Sequence, residues 1–321
     1  MHKHALVVGK FAPLHCGHML LLEAARAGAK RVTVLVWSNP DFPDMRAPVR
    51  AGWVQKLFPA FEVLTPLDAP ANNAPDDEHR QFVKQWLQHR GLFPDVVYSS
   101  ETYGPGFAQV IGCQHVSVDV GRQRVPISGS EIRKDVHAHR SMLPATVYAH
   151  FVRRVVFLGA ESTGKSTLAA HMASVMNTCF VPEYGREVWQ TRNGRLVLED
   201  YVEIAERHRQ LEDEAILQAN RYLFVDTNAL TTLFFSYYYN GGGLPRLHAL
   251  ADECIARYSI AFLCGDDIPF EQDGWRDNVL WRSRLQGLVR YDLDRRGISY
   301  QSTLGTIADR AAIVRKVLSG L

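Results

Sequence analysis

The sequence predicts an α/β protein of two domains, each built on a parallel sheet flanked by helices. Three observations carry that expectation. The chain has 321 residues, enough for two separate cores. Its opening reads strand–helix–strand: an apolar run at residues 5–8, an amphipathic stretch at 19–27, and a second apolar run at 31–37. Such a unit implies parallel pairing, with a site at the carboxyl ends of the strands. The pattern restarts mid-chain, where Val155-Val156-Phe157-Leu158 runs into Gly159-Ala160-Glu161-Ser162-Thr163-Gly164-Lys165-Ser166 and a helical stretch from Thr167. That is G-x-x-x-x-G-K-[ST] in its confirming context, strand then loop then helix.

Composition narrows the classes. Hydrophobic residues at 46% and charged residues at 22% are ordinary for a globular protein. The net charge of +2 gives no reason to expect a nucleic-acid partner, and the densest basic stretch, residues 276–296, is interleaved with acids. The five cysteines are odd in number and widely spaced, with no C-x-x-C. That argues for a reducing compartment, against a disulfide framework and against a cysteine zinc site. No apolar run is long enough to span a membrane, and Met1-His2-Lys3-His4 leads straight into a strand with no signal peptide. The expected location is the cytoplasm.

In the first half, Gly9-Lys10-Phe11-Ala12-Pro13-Leu14-His15-Cys16-Gly17-His18 follows the first strand and enters a helix. Three readings fit His15 and His18. A metal pair lacks a third ligand nearby, whereas satisfied structural histidines and groups facing a phosphate both suit the spacing. The neighbouring residues favour the phosphate reading. The stretch resembles the G-x-F-x-P-x-H-x-G-H signature of the nucleotidyltransferase superfamily. A second motif of that superfamily, I-S-x-x-x-[IL]-R, is matched by Ile127-Ser128-Gly129-Ser130-Glu131-Ile132-Arg133. Ser128 is placed to cap a short helix, and Arg133 to present a fixed cation. The resemblance implies a Rossmann-like domain in which one substrate's phosphate attacks the α-phosphorus of a nucleoside triphosphate. It also implies triphosphate contacts from Gly9, Lys10, Phe11, His15, His18, Ser128 and Arg133.

Between the motifs, residues 48–58 read as a helix. There Arg50 is expected beside the second substrate, and Trp53 either beside it or in the core. Residues 68–77 read as a loop, and 78–90 as a helix with Phe82, Val83, Trp86 and Leu87 on one face. Residues 95–101 form a strand ending in Tyr98-Ser99-Ser100-Glu101, and 114–119 form another. Asp119 and Arg122 fit either a ligand contact or an exposed loop. Residues 134–153 read as an exposed linker or short helix despite their histidines, since no ligand-rich segment accompanies them. The expected domains are residues 1–150 and 151–321, packed against each other.

In the second half the Gly-rich loop predicts a phosphate cradle: Gly159, Glu161, Ser162, Thr163, Gly164 and Thr167 around phosphate, Lys165 on the β/γ-phosphates and Ser166 on Mg²⁺. A strand then ends at Glu183-Tyr184-Gly185-Arg186, where a carboxylate can hold a ribose hydroxyl and an arginine can meet the transferred phosphoryl group. Residues 198–219 read as a long helix with a solvated charged face. Residues 221–227 form an apolar strand ending in Asp226, expected to orient Mg²⁺ or to accept the acceptor hydroxyl's proton. The aromatic run at 234–239 reads as core. Residues 260–264 form a strand, and the polar stretch at 265–276, with Arg276 and Arg282, reads as a lid over triphosphate. A last strand lies within 297–303 and a closing helix at 307–318.

The whole arrangement resembles the NadR family. The residues that carry the likeness are Gly159-Ala160-Glu161-Ser162-Thr163-Gly164-Lys165-Ser166-Thr167, Glu183-Tyr184-Gly185-Arg186 and Asp226-Thr227, behind the two nucleotidyltransferase motifs. The chain departs at Asn228, where the family often has a second acid, and it starts at the first strand without a helix-turn-helix segment. The resemblance implies two steps with ATP and Mg²⁺. Nicotinamide riboside is phosphorylated to the mononucleotide, which is then adenylylated to NAD⁺ and pyrophosphate. It implies Arg50, Trp53, Tyr184 and Arg186 as substrate contacts, and admits a homo-oligomer. The alternatives are the same fold acting on another nucleoside or phosphate-bearing acceptor, or a nucleotide-sensing regulator with weak catalysis.

Overall fold

The computed structural model describes residues 1–270 and 279–320. The chain divides into two compact units, Met1–His150 and Phe151–Leu321.

The first unit runs β1 (His2–Gly9), α1 (Cys16–Gly28), β2 (Ala29–Val36), α2 (Ala47–Leu57), β3 (Glu62–Leu64), α3 (Asp76–His89), β4 (Val96–Ser99), α4 (Gly104–Ile111), β5 (Gln114–Ser117), α5 (Gly129–Lys134) and α6 (Ala145–Tyr148). All strands are parallel, in the order β3-β2-β1-β4-β5. Helices cover both faces of such a sheet, so its central strands are apolar throughout; Ala5, Leu6 and Val7 are fully buried. The Val83, Trp86 and Leu87 stripe of α3 packs on Leu6, Leu35, Trp37 and Val97. Helix α1 starts at Cys16, three residues before the apolar stripe, because the His15 side chain caps it.

The segment read as an exposed linker or short helix holds the short helix α6, and a few of its side chains turn inward. Val147 and Tyr148 are buried, the Tyr148 hydroxyl bonds to His137 Nδ1 at 2.8 Å, and His150 Nε2 donates to the Asp44 carbonyl at 2.6 Å. His137 and His150 are spent on hydrogen bonds, the second to a carbonyl 106 positions away, which their spacing alone did not reveal.

The second unit runs β6 (Arg153–Leu158), α7 (Lys165–Val175), β7 (Cys179–Val181), α8 (Tyr184–Thr191), α9 (Leu198–Ala215), β8 (Tyr222–Asp226), α10 (Ala229–Asn240), α11 (Pro245–Arg257), β9 (Ile260–Cys264), α12 (Val279–Arg295), β10 (Tyr300–Thr303) and α13 (Ile307–Ser319). The sheet is again parallel, ordered β10-β9-β6-β8-β7. Strand β6 is central, so the loop leaving it sits at the switch point where α/β sheets bind ligands. Phe157, Phe224 and Phe262 stack across β6, β8 and β9 beneath α7 and α13.

Helix α9 corrects one expectation. Its charges are not all solvated: Asp200, His208 and Glu212 are buried. Glu212 accepts from Arg257 Nε at 2.8 Å and from the Tyr258 hydroxyl at 2.6 Å. The partners come from α11 and the residue after it, 45 and 46 positions along the chain, beyond the reach of local charge patterning. Among the described residues no helix is long and apolar enough to cross a membrane.

Candidate active sites

The first unit carries a cavity at the carboxyl ends of β1 and β2, lined by Gly9, Lys10, Phe11, His15, His18, Ser128 and Arg133. The geometry of α1 decides the state of its histidines. His15 is the N-cap, its Nδ1 accepting the Gly17 N–H at 3.1 Å, while His18 Nδ1 accepts the His15 N–H at 3.4 Å. Each Nδ1 is therefore an acceptor, which assigns the proton of each neutral ring to Nε2. The rings stack at 3.8 Å, and Phe11 meets His18 edge-on at 4.9 Å. Burial, reinforced by Arg122, pushes His15 from 6.5 down to about 4. Burial and then His15 push His18 well below its ordinary value. Both are neutral hydrogen-bond donors at neutral pH.

The positive charge comes from elsewhere. Arg133 donates from Nη1 to the Ala12 carbonyl at 2.5 Å and from Nη2 to Ser130 Oγ at 2.9 Å, lying 4.9 Å over the Phe42 ring. Lys10 Nζ donates to Asn72 Oδ1 at 2.6 Å. Its pKa is lowered, first by burial and then by Arg133 and Arg50, as expected where cations converge. Ser128 Oγ accepts the Glu131 N–H at 3.1 Å and caps α5. Arg122, also on the cavity wall, pairs with Glu101 at 3.0 Å. Asp119 spends its carboxylate on the N–H groups of Arg124 and Val125.

Arg50 and Trp53, expected as substrate contacts, do not line this cavity. Arg50 is fully buried. It donates from Nε to the Met45 carbonyl at 2.7 Å, from Nη1 to the carbonyls of Lys10 and Trp37, and from Nη2 to that of Ser38. It clamps the chain leaving β1 to the chain leaving β2. Trp53 is buried edge-on to His150 at 5.3 Å. The lining residues that sequence reasoning missed include Trp37, Phe42, Asn72 and His79. Trp37, one residue past β2, stood at the strand end where such contacts are expected.

The second unit builds its site on the loop after β6. Gly159 (φ +139°), Ser162 (φ +55°) and Gly164 (φ +79°) give it alternating left-handed turns, the backbone form that directs N–H groups inward around an anion. A Cβ on Gly159 would stand 2.8 Å from the Cys264 carbonyl oxygen. Lys165, buried, donates from Nζ to the Ala160 carbonyl at 2.8 Å, and Thr163 Oγ1 donates to the same oxygen at 2.7 Å. Ser166 and Thr167 follow in the first turn of α7.

Beside the loop, Glu161, Lys165, Glu183, Arg186, Trp189, His208, Thr227, Phe235 and Tyr239 share one cavity. Glu183 is the N-cap residue of α8, with Arg186 Nη2 3.7 Å from its carboxylate. The Trp189 and Tyr239 rings lie 4.6 Å apart, and Phe235 stacks behind Tyr239 at 6.1 Å. Two aromatics of α10 thus face the cavity rather than the core. They lie four positions apart, the spacing that puts two side chains on one helix face. Tyr184 does not line the cavity, and Arg276 lies outside the described residues. Burial pushes His208 down to about 4, against the opposing field of Asp226. Asn228 caps α10 through Oδ1, which accepts the Leu230 N–H at 3.1 Å, so a structural role occupies this position.

Asp226 is 1% exposed, and neither of its carboxylate oxygens finds a hydrogen-bond partner among the described residues. A buried carboxylate in that state is costly unless it meets a cation. Its chemistry therefore fits Mg²⁺, together with the Ser166 hydroxyl at the start of α7. Among the described residues no group of three or more His, Cys, Asp or Glu is arranged to hold a metal ion on its own.

A family model described as an AAA domain matches residues 154–310. The chain is 30% identical to the trifunctional NAD biosynthesis/regulator protein NadR of Escherichia coli (strain K12), over 92% of this chain and 77% of that protein. Identity and coverage are the same against the NadR protein of Salmonella typhimurium (strain LT2). A NadR protein solved in complex with NR superposes with a TM-score of 0.72 at 19% identity, covering 100% of this chain and 97% of that one. A NadR protein solved with NAD and AMP-PNP gives 0.72 at 20% identity, with the same coverage.

Proposed function

This chain belongs to the NadR family, and from that premise we propose that its two units catalyse consecutive steps. The second unit is a kinase that transfers the γ-phosphoryl group of ATP to the 5′-hydroxyl of nicotinamide riboside. The first, a Rossmann-like nucleotidyltransferase, joins the resulting mononucleotide to the adenylyl group of a second ATP, giving NAD⁺ and pyrophosphate. The observation that carries the reading is the cavity of the second unit. Its aromatic wall, Trp189 and Tyr239, stands with Glu183 beside the phosphate-loop lysine. A flat pyridinium cation suits that wall through cation–π attraction. A ribose diol suits the carboxylate, and the loop is left for the donor phosphates.

In the kinase step the 5′-oxygen attacks the γ-phosphorus, the bond to ADP breaks, and the hydroxyl proton passes to a carboxylate at the cavity, Asp226 or Glu183. Glu183 holds the sugar hydroxyls, Lys165 leaves the Ala160 carbonyl for the β/γ-phosphates, and Arg186 meets the phosphoryl group in transfer. When bound, Mg²⁺ held through Ser166 and Asp226 neutralises phosphate charge. In the adenylyl step the mononucleotide's phosphate oxygen attacks the α-phosphorus, and the bond to pyrophosphate breaks. The protein forms no covalent bond; its contribution is positioning and charge stabilisation. The Nε2–H groups of His15 and His18 donate hydrogen bonds to triphosphate oxygens, and Lys10 and Arg133 supply charge. Ser128 and the first turn of α5 hold the terminal phosphates.

The test supplies riboside, ATP and Mg²⁺ and follows NAD⁺. Lys165→Ala abolishes riboside phosphorylation and leaves mononucleotide adenylylation intact; His18→Ala does the reverse. Riboside phosphorylation surviving in Lys165→Ala refutes the kinase assignment. Full-rate conversion of the mononucleotide by His18→Ala refutes the other.

A further inference from the structure

The phosphate loop is held from outside by side chains that belong to none of the motifs above. Arg310, on α13, is 2% exposed. Its Nη1 donates to the Thr163 carbonyl at 2.6 Å, its Nη2 to the Gly265 carbonyl at 3.2 Å and to Asp267 Oδ1 at 2.6 Å, and its Nε to the Gly305 carbonyl at 2.9 Å. One guanidinium thus joins the phosphate loop to the chain leaving β9 and the chain leaving β10. Asp267 completes the link, its other oxygen accepting the Gly305 N–H at 2.6 Å. On α12, Gln286 accepts the Ala160 N–H at 2.8 Å and donates to the Cys264 carbonyl at 2.8 Å.

Peptide geometry gives these contacts a consequence. In a planar trans peptide the C=O and the following N–H point in opposite directions. Fixing the Thr163 carbonyl outward on Arg310 therefore fixes the Gly164 N–H on the far side of that peptide. Gly164 sits at φ +79°, where the loop turns into α7. That N–H belongs to the set that cradles phosphate. With no outside tether the peptide could rotate and present its carbonyl to the anion instead.

We propose that Arg310 is the positioning residue of the phosphate loop, with Asp267 holding it in place: the pair keeps the Thr163–Gly164 peptide aimed at the donor's β-phosphate. The proposal rests on the kinase reading of this unit.

The test uses the full chain with ADP as probe. Calorimetry measures ADP affinity for wild type, Arg310→Met and Asp267→Asn, with Lys165→Ala identifying the part of the binding that belongs to the loop. Riboside phosphorylation gives KM for each substrate. Losing an aimed charge-assisted hydrogen bond in each variant is expected to weaken loop-site ADP binding and raise KM for ATP about tenfold, with KM for riboside unchanged. Adenylylation by the first unit stays at the wild-type rate, and native-state hydrogen exchange on peptides from β6 and α7 reports folding of the second unit, where the substitutions lie. ADP affinity within about twofold of wild type, or a fall in kcat at unchanged KM for ATP, overturns the proposal, because a purely structural role lowers the active fraction and not the affinity. Should Arg310→Met fail to fold, Asp267→Asn decides alone, since among the described residues the partly exposed Asp267 carboxylate bonds to Arg310 and the Gly305 N–H and to no atom of the phosphate loop itself. A wild-type chain that binds ADP at the loop yet leaves riboside untouched refutes the substrate reading. The positioning role is then judged on ADP affinity.

Discussion

Acidification should strip stability from the first unit through His15, and the structure sets the size of the effect. The side chain is held at about 4 against an ordinary 6.5 by burial, with a smaller push from Arg122. Between those values the unfolded chain binds a proton that the folded chain refuses. Stability therefore rises with pH across that window and is lost as pH falls through it. From pH 6.5 to pH 5 the loss grows by about 1.4 kcal/mol per unit, or about 2 kcal/mol from His15 alone. His18, also displaced downward, acts in the same direction. The comparison variant is His15→Asn, since an asparagine oxygen can still cap α1 and cannot titrate. The assay is native-state hydrogen exchange on peptides from β1 and α1 at pH 7.5 and pH 5, corrected for intrinsic exchange. Wild type should lose more protection than His15→Asn by the amount above. Equal losses would mean that the imidazole is not held neutral and that the donor role assigned to it is wrong. The second unit is a poorer place for the measurement. There the effect of His208 is opposed by Glu212, whose carboxyl is pushed up, chiefly by burial.

Three further outcomes follow from the same geometry. Asp226→Asn keeps the shape of a buried side chain but removes its charge, so riboside phosphorylation should fall at least about a hundredfold while the melting temperature holds or rises; unchanged turnover at saturating Mg²⁺ counts against its metal role. Trp189→Ala removes half of the aromatic wall and should raise KM for riboside roughly tenfold, with KM for ATP constant. Arg50→Met leaves four backbone carbonyls without their donor and should destabilise the first unit by roughly 3 kcal/mol or more, read by denaturant titration. A loss of adenylylation without loss of stability would instead return Arg50 to the substrate.

What could be read from sequence was what local chemistry dictates. The two strand–loop–helix entries carry their own punctuation, Gly9 to His18 and Gly159 to Ser166, and the elements around them appear as expected, shifted by a few residues. Ser128 was legible as a cap because capping is a relation between near neighbours. What was not legible depends on contacts far along the chain. Arg50 looked like a free cation, since nothing in its surroundings announces carbonyls from Lys10 and Trp37 closing on it. The acids of α9 looked solvated, since Arg257 lies on another helix. Tyr239 and Trp189 meet only after α8 and α10 have packed. Arg310, 147 positions from Thr163, belongs to no motif at all.

These long-range contacts bear on how each site handles anions. A titrating imidazole is a poor permanent partner for triphosphate near neutral pH, because its charge depends on the medium. In the first unit the two imidazoles are buried and fixed as neutral donors, while charge comes from Lys10 and Arg133, whose partners are neutral oxygens of Asn72, Ala12 and Ser130. A cation bonded to neutral acceptors keeps its full field for a ligand, whereas one paired with a carboxylate does not. In the second unit Arg310 is paired with Asp267 and so contributes geometry rather than net charge; Lys165, bonded to a carbonyl, supplies the field. Among the described residues the hydrogen-bond partners of Lys10, Arg133 and Lys165, the cations proposed to meet phosphate, are neutral oxygens; Arg186, 3.7 Å from the Glu183 carboxylate, departs from that division.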